Sequence, residues 1–418
     1  MRAWLLQTGE ILPLNRGQRK MRSGLLAQCL AKRGHEIVWW ASNFDHLTKK
    51  KVLPGSGLIT LEPGLSLRYL SSLSYSNNIS VRRYLDHLVY ANKFARAARK
   101  EPVPNLIIAS TPDYHLAYEG LLYAEEHQIP FVLDVRDPWP DSFLEVISHK
   151  FSRKLLKLLL RSDFNKLAKL IQSANGITSM MDSLLEWALN KTVHPVANRV
   201  FHLGATSFGL NLKDFEERKN WGKNHDFNVA FIGSFGTLQN PRIIVDAAAI
   251  IEHKHPELSI SFIIAGDGPM RAQIEKSAKG SKNINFYGWV NEEEIKTILL
   301  KSHLGVIPEN LNQDTFPNKT FTYLSGGLPL LSGSEGELRR FMAQNSIGRG
   351  FDSNSPESLA NQIVDIYHKP LEWQRLQTNA LNIFEGQFNA DKIYSEFSDW
   401  IENICKNTNS NGGVAKSN

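Results

Sequence analysis

The chain has 418 residues, more than one hydrophobic core ordinarily supports and about right for two or three domains. A composition of 42% apolar and 22% charged residues excludes collagen, coiled coil and wholesale disorder, and two cysteines in unlike contexts, Cys29 and Cys405, exclude a disulfide framework or a zinc site. Residues 1–200 hold 27 of the 48 Lys and Arg but only 17 of the 42 Asp and Glu, so that half carries net +10 and the remainder −4. The first half is therefore expected to face anionic matter: phospholipid, lipid-linked phosphate or nucleic acid. No window reaches the roughly 18 uncharged apolar residues of a membrane span, and the N-terminus lacks the apolar run of a signal peptide. A cytoplasmic protein is expected.

Short apolar runs alternate with helical patterns from end to end, the mark of βαβ units and parallel sheets. In the first half, strands are predicted at Ala3–Leu6, Glu36–Ala41, Leu106–Ala109 and Phe131–Val135, with another near Gly176–Thr178. Ser23–Lys32 has apolar residues at helical spacing and stops at Gly34, where a left-handed cap is expected. Residues 204–226 show no sustained period and are crowded with charge, so they read as a linker. A second series follows at Val229–Ile232, Ile260–Ala265, Asn285–Tyr287, Leu304–Ile307 and Leu328–Leu331. The predicted organisation is a doubly wound domain at 1–203, another at 227–385, a helix at 386–404 returning to the first, and a structureless tail at 405–418. Two such domains facing each other would enclose a cleft beyond the carboxyl ends of their strands.

In the second half, Gly233-Ser234-Phe235-Gly236 leaves a strand ahead of a helix, an arrangement that lets backbone amides and a helix N-terminus meet a phosphate. It is neither a dinucleotide fingerprint nor a P-loop, and a tight strand-to-helix turn accounts for it equally well. Gly266-Asp267-Gly268-Pro269 is a second such exit. Gly288-Trp289-Val290 is a third, with Asn291 as helix cap before three glutamates. Pro317-Asn318-Lys319 opens a helix that Gly326-Gly327 closes, and Lys319 in its first turn offers a point charge for a diphosphate.

The order of these elements resembles the nucleotide-sugar domain of GT-B glycosyltransferases, in particular the retaining family numbered four. The resemblance implies an α/β chain of two Rossmann-like domains, with Gly233, Ser234, Phe235, Gly236, Gly266, Gly268, Asn318 and Lys319 at the donor phosphates. It implies Gly288, Trp289 and Val290 beside the nucleobase. Where the family places two acidic residues, this chain has Asp314 and Thr322. A threonine still hydrogen-bonds a ribose, but a charge-assisted bond is roughly twice as strong. The implied donor is UDP- or GDP-linked, a substrate rather than a cofactor, and no metal is required.

In the first half, Glu10, Pro13, Arg22-Ser23-Gly24 and the run from Leu30 to His46 resemble the acceptor domain of polysaccharide- and lipopolysaccharide-assembling members. The basic loop 15–22 follows the first strand, so Arg16, Arg19, Lys20 and Arg22 are expected to grip a phosphate or sugar carboxylate. Asp134-Val-Arg136-Asp137-Pro138-Trp139-Pro140 must leave the sheet at once, presenting Arg136 and Asp137 at a cleft mouth, unless an Asp–Arg pair merely shapes the loop. The resemblance implies catalytic roles for Asp137, Arg136 and Asp314 and acceptor contacts from Glu10, Arg19 and Arg22. Residues 150–170 carry seven basic residues and one acid on a helical pattern with a broad leucine face. Packing of that face on the domain is favoured, with its basic side free to lean on anionic lipid. The implied activity is sugar transfer from a nucleotide-sugar to a lipid-linked or saccharide acceptor; a sugar-nucleotide epimerase and a non-catalytic scaffold stay open. Nucleic acid is not an expected partner.

Overall fold

The computed structural model describes the chain apart from residues 15–19, 79, 146–148, 223–225, 237–238, 240, 310–315 and 415–418. It divides into two compact units, Met1–His202 with Tyr394–Asn418, and Leu203–Ile393.

Unit 1 contains β1 (Arg2–Leu6), β2 (Glu36–Ser42), β3 (Phe44–Asp45), β4 (Lys50–Lys51), β5 (Gly57–Glu62), β6 (Leu65–Leu70), β7 (Leu106–Ser110), β8 (Phe131–Val135), β9 (Gly176–Ser179) and β10 (Ala197–Val200). Its helices are α1 (Arg22–Lys32), α2 (Val81–Ala98), α3 (Tyr114–His127), α4 (Asp141–Glu145), α5 (Lys150–Leu159), α6 (Arg161–Ser173) and α7 (Asp182–Leu189). Eight strands form one sheet in the order β10-β9-β8-β7-β1-β2-β6-β5, parallel except for the β5–β6 hairpin. That hairpin departs from the all-parallel expectation. Its signal was the turn Pro63-Gly64 between two alternating runs, with Gly64 at φ +77°. Central strands are covered on both faces, so β7 (LIIAS) and β8 (FVLDV) read as continuous apolar runs and are buried throughout. Gly34, at φ +83°, ends α1 as its composition predicts.

Unit 2 contains β11 (Phe227–Ile232), β12 (Ile260–Ala265), β13 (Ile284–Tyr287), β14 (Leu304–Ile307), β15 (Leu330–Ser332) and β16 (Gly348–Gly350), all parallel, in the order β13-β12-β11-β14-β15-β16. Its helices are α8 (Arg242–Lys254), α9 (Arg271–Ser277), α10 (Glu292–Lys301), α11 (Asn318–Ser325), α12 (Glu337–Asn345), α13 (Pro356–Tyr367) and α14 (Pro370–Ile383). Asn291 caps α10 reciprocally with Glu294, as the motif predicts.

Two boundaries differ from the sequence reading. The expected linker holds a 3-10 helix, Leu212–Asn220, anchored in unit 2 by buried Phe215 and Arg218. The Arg218 guanidinium donates to the carbonyls of Leu299, Leu300 (2.9 Å) and Gly326 (3.1 Å), neutralising the carbonyl end of α10. The last helix, α15 (Ala390–Val414), continues past the point where a structureless tail was expected. Buried Tyr394, Phe397, Ile401, Ile404 and Cys405 hold its first four turns against unit 1. Phe397 stacks on Phe201 with centroids 4.3 Å apart.

The core of unit 1 centres on an aromatic group in which Trp40 meets Trp4 and Phe94 edge-on at 5.2 and 4.9 Å. Phe94 is fully buried. Its truncation to alanine is expected to lower stability by about 3–5 kcal/mol, measured as a shift in the urea midpoint at unchanged slope.

Candidate functional site

In an open parallel sheet, ligands bind where the strand order reverses, at the carboxyl ends of the two strands that part. In unit 2 those strands are β11 and β14. They pair only through Val229 with Leu304 and Ala230 with Gly305. Beyond that, the buried Tyr323 hydroxyl spans the gap, accepting from the Ile232 amide at 2.8 Å and donating to the Val306 carbonyl at 3.3 Å. A tyrosine hydroxyl taken from water needs such partners.

One helical turn before Tyr323, on the same face of α11, stands Lys319. Its ammonium donates to Glu309 Oε1 at 2.8 Å, and both side chains are 8% exposed. The ammonium also lies 5.3 Å over the Phe231 ring. Burial lowers its pKa from the usual lysine value, with Glu309 acting against that. Lys319 Cε comes within 3.4 Å of the point where a Cβ on Gly233 would sit, so the lysine and the first glycine turn share one crevice. Glu309 occupies one ammonium hydrogen, and the other two have no partner among the described residues. Gln239 Oε1 lies 2.7 Å from the same Cβ position of Gly233, and it is a buried atom with no hydrogen-bond partner among the described residues. Neither Glu309 nor Tyr323 was picked out by the sequence reading. A lysine four residues before a tyrosine on one predicted helix was the available signal for Tyr323; Glu309 had none.

The glycine turns are built differently from expectation. The Gly233 amide donates to the Ala265 carbonyl at 3.0 Å, Phe235 to Asp267 at 2.9 Å and Met270 to Phe235 at 3.0 Å, so the first two turns clasp each other. At Gly266 (φ +139°) a Cβ would run into the Gly233 carbonyl, and at Gly268 (φ +156°) it would sit 2.7 Å from that of Phe235. Those glycines serve close backbone packing. The amides of Gly233 and Phe235 are thus spent on the tight turn that the sequence offered as the alternative to a phosphate site, while those of Ser234 and Gly236 are left without a partner among the described residues. Asn318 is exposed, Thr322 is buried on α11, and Trp289 stands 83% exposed between Gly288 and Val290 at the end of β13. Asp314 lies outside the described residues.

Unit 1 reverses between β1 and β7. There Thr8 Oγ1 donates to Asp113 Oδ2 at 3.1 Å, while Asp113 caps α3 through the Leu116 amide and lies 3.7 Å from buried His87. Close by is a buried charge network. Arg22 donates to both Asp134 oxygens, at 2.9 to 3.2 Å, and to the Phe201 carbonyl. Arg136 donates to Asp134 Oδ2 at 2.7 Å, to Glu10 and to Ser23 Oγ at 2.8 Å. The Glu10 carboxylate accepts from the Ser23 amide at 2.9 Å, closing the N-terminus of α1 with a charge of the protein's own. Arg22, Arg136 and Glu10, expected to meet a ligand, are thus engaged with one another, which is the loop-shaping alternative. Lys20 pairs with Glu62, and Arg19 lies outside the described residues. Asp137 follows β8, half-buried, and its Oδ1 accepts from the Ser142 hydroxyl at 3.2 Å.

Comparison with known proteins agrees with this geometry. Residues 226–369, all within unit 2, match the family of glycosyl transferases group 1. Solved structures extend the likeness to the whole fold. A sucrose-phosphate synthase from Thermosynechococcus elongatus is 13% identical over 96% of this chain and 98% of its own, with a TM-score of 0.68. HepE of Anabaena, in complex with UDP, is 13% identical over 96% and 99%, at 0.62. An E. coli trehalose-6-phosphate protein bound with UDP-2-fluoro glucose is 11% identical over 96% and 99%, at 0.66. At these identities they show the fold, which is GT-B. No curated protein matches the chain by sequence.

Asp134 is the hinge of the unit 1 network. Burial alone would raise its pKa, but Arg22 and Arg136 hold it down, from the usual 3.8 to about 2. A carboxylate with a depressed folded pKa stabilises fully above its unfolded value and loses that contribution as the pH falls toward the folded one. Unfolding free energy is therefore expected to drop between about pH 4 and 2 with a component that is missing in Asp134→Asn. At neutral pH that variant, which leaves two buried guanidinium groups without their carboxylate, is expected to be about 3–5 kcal/mol less stable. Denaturant titrations at stepped pH check both.

Proposed function

We propose that the protein is a glycosyltransferase that moves a sugar from a UDP- or GDP-linked donor to a lipid-linked or saccharide acceptor in the assembly of bacterial surface polysaccharide. The observation that carries this reading is Lys319. A buried ammonium, two of whose hydrogens have no partner among the described residues, faces a glycine turn at the strand-order reversal, inside the segment that matches glycosyl transferases group 1. The unpaired Gln239 oxygen beside Gly233 gives a polar ligand a further partner there.

In the proposed transfer the bond between the anomeric carbon and the diphosphate oxygen breaks while one from that carbon to an acceptor hydroxyl oxygen forms; negative charge gathers on the leaving diphosphate, which takes up the hydroxyl proton. Lys319, the N-terminus of α11 and the amides of Ser234 and Gly236 offset that charge, held in place before the reaction starts. Thr322 takes a ribose hydroxyl. The open indole face of Trp289 borders the base. Asp137 acts on the acceptor side and Asp314 near the donor sugar. Retention of configuration and independence of a metal ion are carried over from the family resemblance. Structural neighbours bound to UDP and to UDP-2-fluoro glucose make UDP the first nucleotide to try. A lipid-linked acceptor would draw the protein to the cytoplasmic face of a membrane.

Calorimetry against UDP and GDP tests the reading. One of them is expected to bind, and Lys319→Ala is expected to weaken it by about 10- to 100-fold, the worth of one charge-assisted hydrogen bond. The corresponding monophosphate, with less charge at the lysine, should lose less. Absence of binding by either diphosphate at millimolar concentration would overturn the proposal.

A further inference from the structure

Helix α5 does not pack as its leucines predict. Leu155, Leu158 and Leu159 are 50%, 65% and 71% exposed, and the domain is covered instead by α6, whose Leu167, Leu170 and Ile171 are buried. At helical spacing the three exposed leucines fall within an arc of about 100°. The rest of the helix is basic: its sequence, KFSRKLLKLL, has no acid, and Arg153, Lys154, Lys157 and the following Arg161 are all exposed. Lys154 and Arg161 make no ion pair among the described residues. The one acid of this region, Asp163, is buried, where it accepts from the Tyr84 hydroxyl at 3.2 Å and faces His115 at 3.4 Å, so it does not offset the surface charge.

An exposed apolar stripe on a monomer marks a binding surface. Bordered by these exposed cations, it fits a surface that is apolar below and anionic above, which is the interface of a negatively charged bilayer. A protein partner would need to match both a leucine stripe and a cationic border, whereas anionic lipid supplies the complement to both without any specific contour. We infer that α5 lies in the headgroup layer of an anionic membrane, its leucines inserted and its lysine stems reaching up to phosphate level. This docking uses unit 1 alone and does not depend on the donor site or on the sugar-transfer reading.

Flotation of the full chain with vesicles tests it. Binding is expected to vesicles of phosphatidylcholine with 30–40% phosphatidylglycerol, about tenfold stronger than to phosphatidylcholine alone, and to weaken as salt is raised toward 0.5 M. Replacing Leu155, Leu158 and Leu159 together by serine is expected to abolish flotation while leaving the melting temperature within a degree or two, because these side chains are already in water. Replacing Lys154, Lys157 and Arg161 by glutamine is expected to remove the lipid-charge preference. The inference is overturned if the wild-type chain floats no better with anionic vesicles than with neutral ones, or if the triple serine variant floats as well as wild type. It is equally overturned if the wild type is a dimer that the serine variant converts to a monomer with no lipid binding by either.

Discussion

The candidate donor site hangs on a single hydroxyl. Where β11 and β14 cease to pair, their last backbone groups would be left unsatisfied in a dry crevice, and Tyr323 meets both the Ile232 amide and the Val306 carbonyl. That bridge fixes the depth and rotation of α11. Lys319 sits one turn nearer the crevice on the same face, so its ammonium is placed by a hydrogen bond made elsewhere on the helix. Glu309, leaving the sheet from β14, then balances a charge that burial would otherwise drive toward neutrality.

The two units resolve the same geometric problem in opposite ways. Each has a strand reversal, and each sets charged groups beside it. In unit 1 the charges close on themselves: two guanidinium groups share Asp134, and Glu10 fills the helix N-terminus that an external anion would otherwise seek. In unit 2 the corresponding crevice keeps two hydrogens of the Lys319 ammonium and the Gln239 oxygen without a partner among the described residues. A filled network gives rigidity; an unfilled one gives affinity. This difference is why the donor phosphates are assigned to unit 2.

The sequence made most of the scaffold legible because buried parallel strands leave continuous apolar runs, and every one of the ten strands predicted is present within two residues of its expected ends. It was less informative where polarity and burial part company. Arg218 in a run of charges looks like a linker residue, yet its five donors can finish a helix end inside the core. The glycines of the first two turns look like a phosphate cradle, although Gly266 and Gly268 are required by the neighbouring carbonyls. Arg22 and Arg136 look like ligand groups because nothing in a linear sequence shows that Asp134 will reach both. Glu309 was overlooked for the converse reason: a lone glutamate after a strand carries no motif, and only its contact with Lys319 gives it meaning.

The basic excess of the first half takes on a sharper meaning once its members are placed. Arg22 and Arg136 are consumed inside the fold, Arg33 is held by Asp399 and Glu402, and Arg68 by Glu101. Charge that is paired internally projects little field beyond a Debye length, so the surplus that an approaching partner meets is concentrated where exposed cations outnumber exposed acids. Helix α5 and the start of α6 are such a place, and there the leucines are turned outward as well. Charge and exposed apolar surface coincide on a helix with no described residue in the buried core of unit 1, which ties the uneven electrostatics of the chain to a surface rather than to its reaction site.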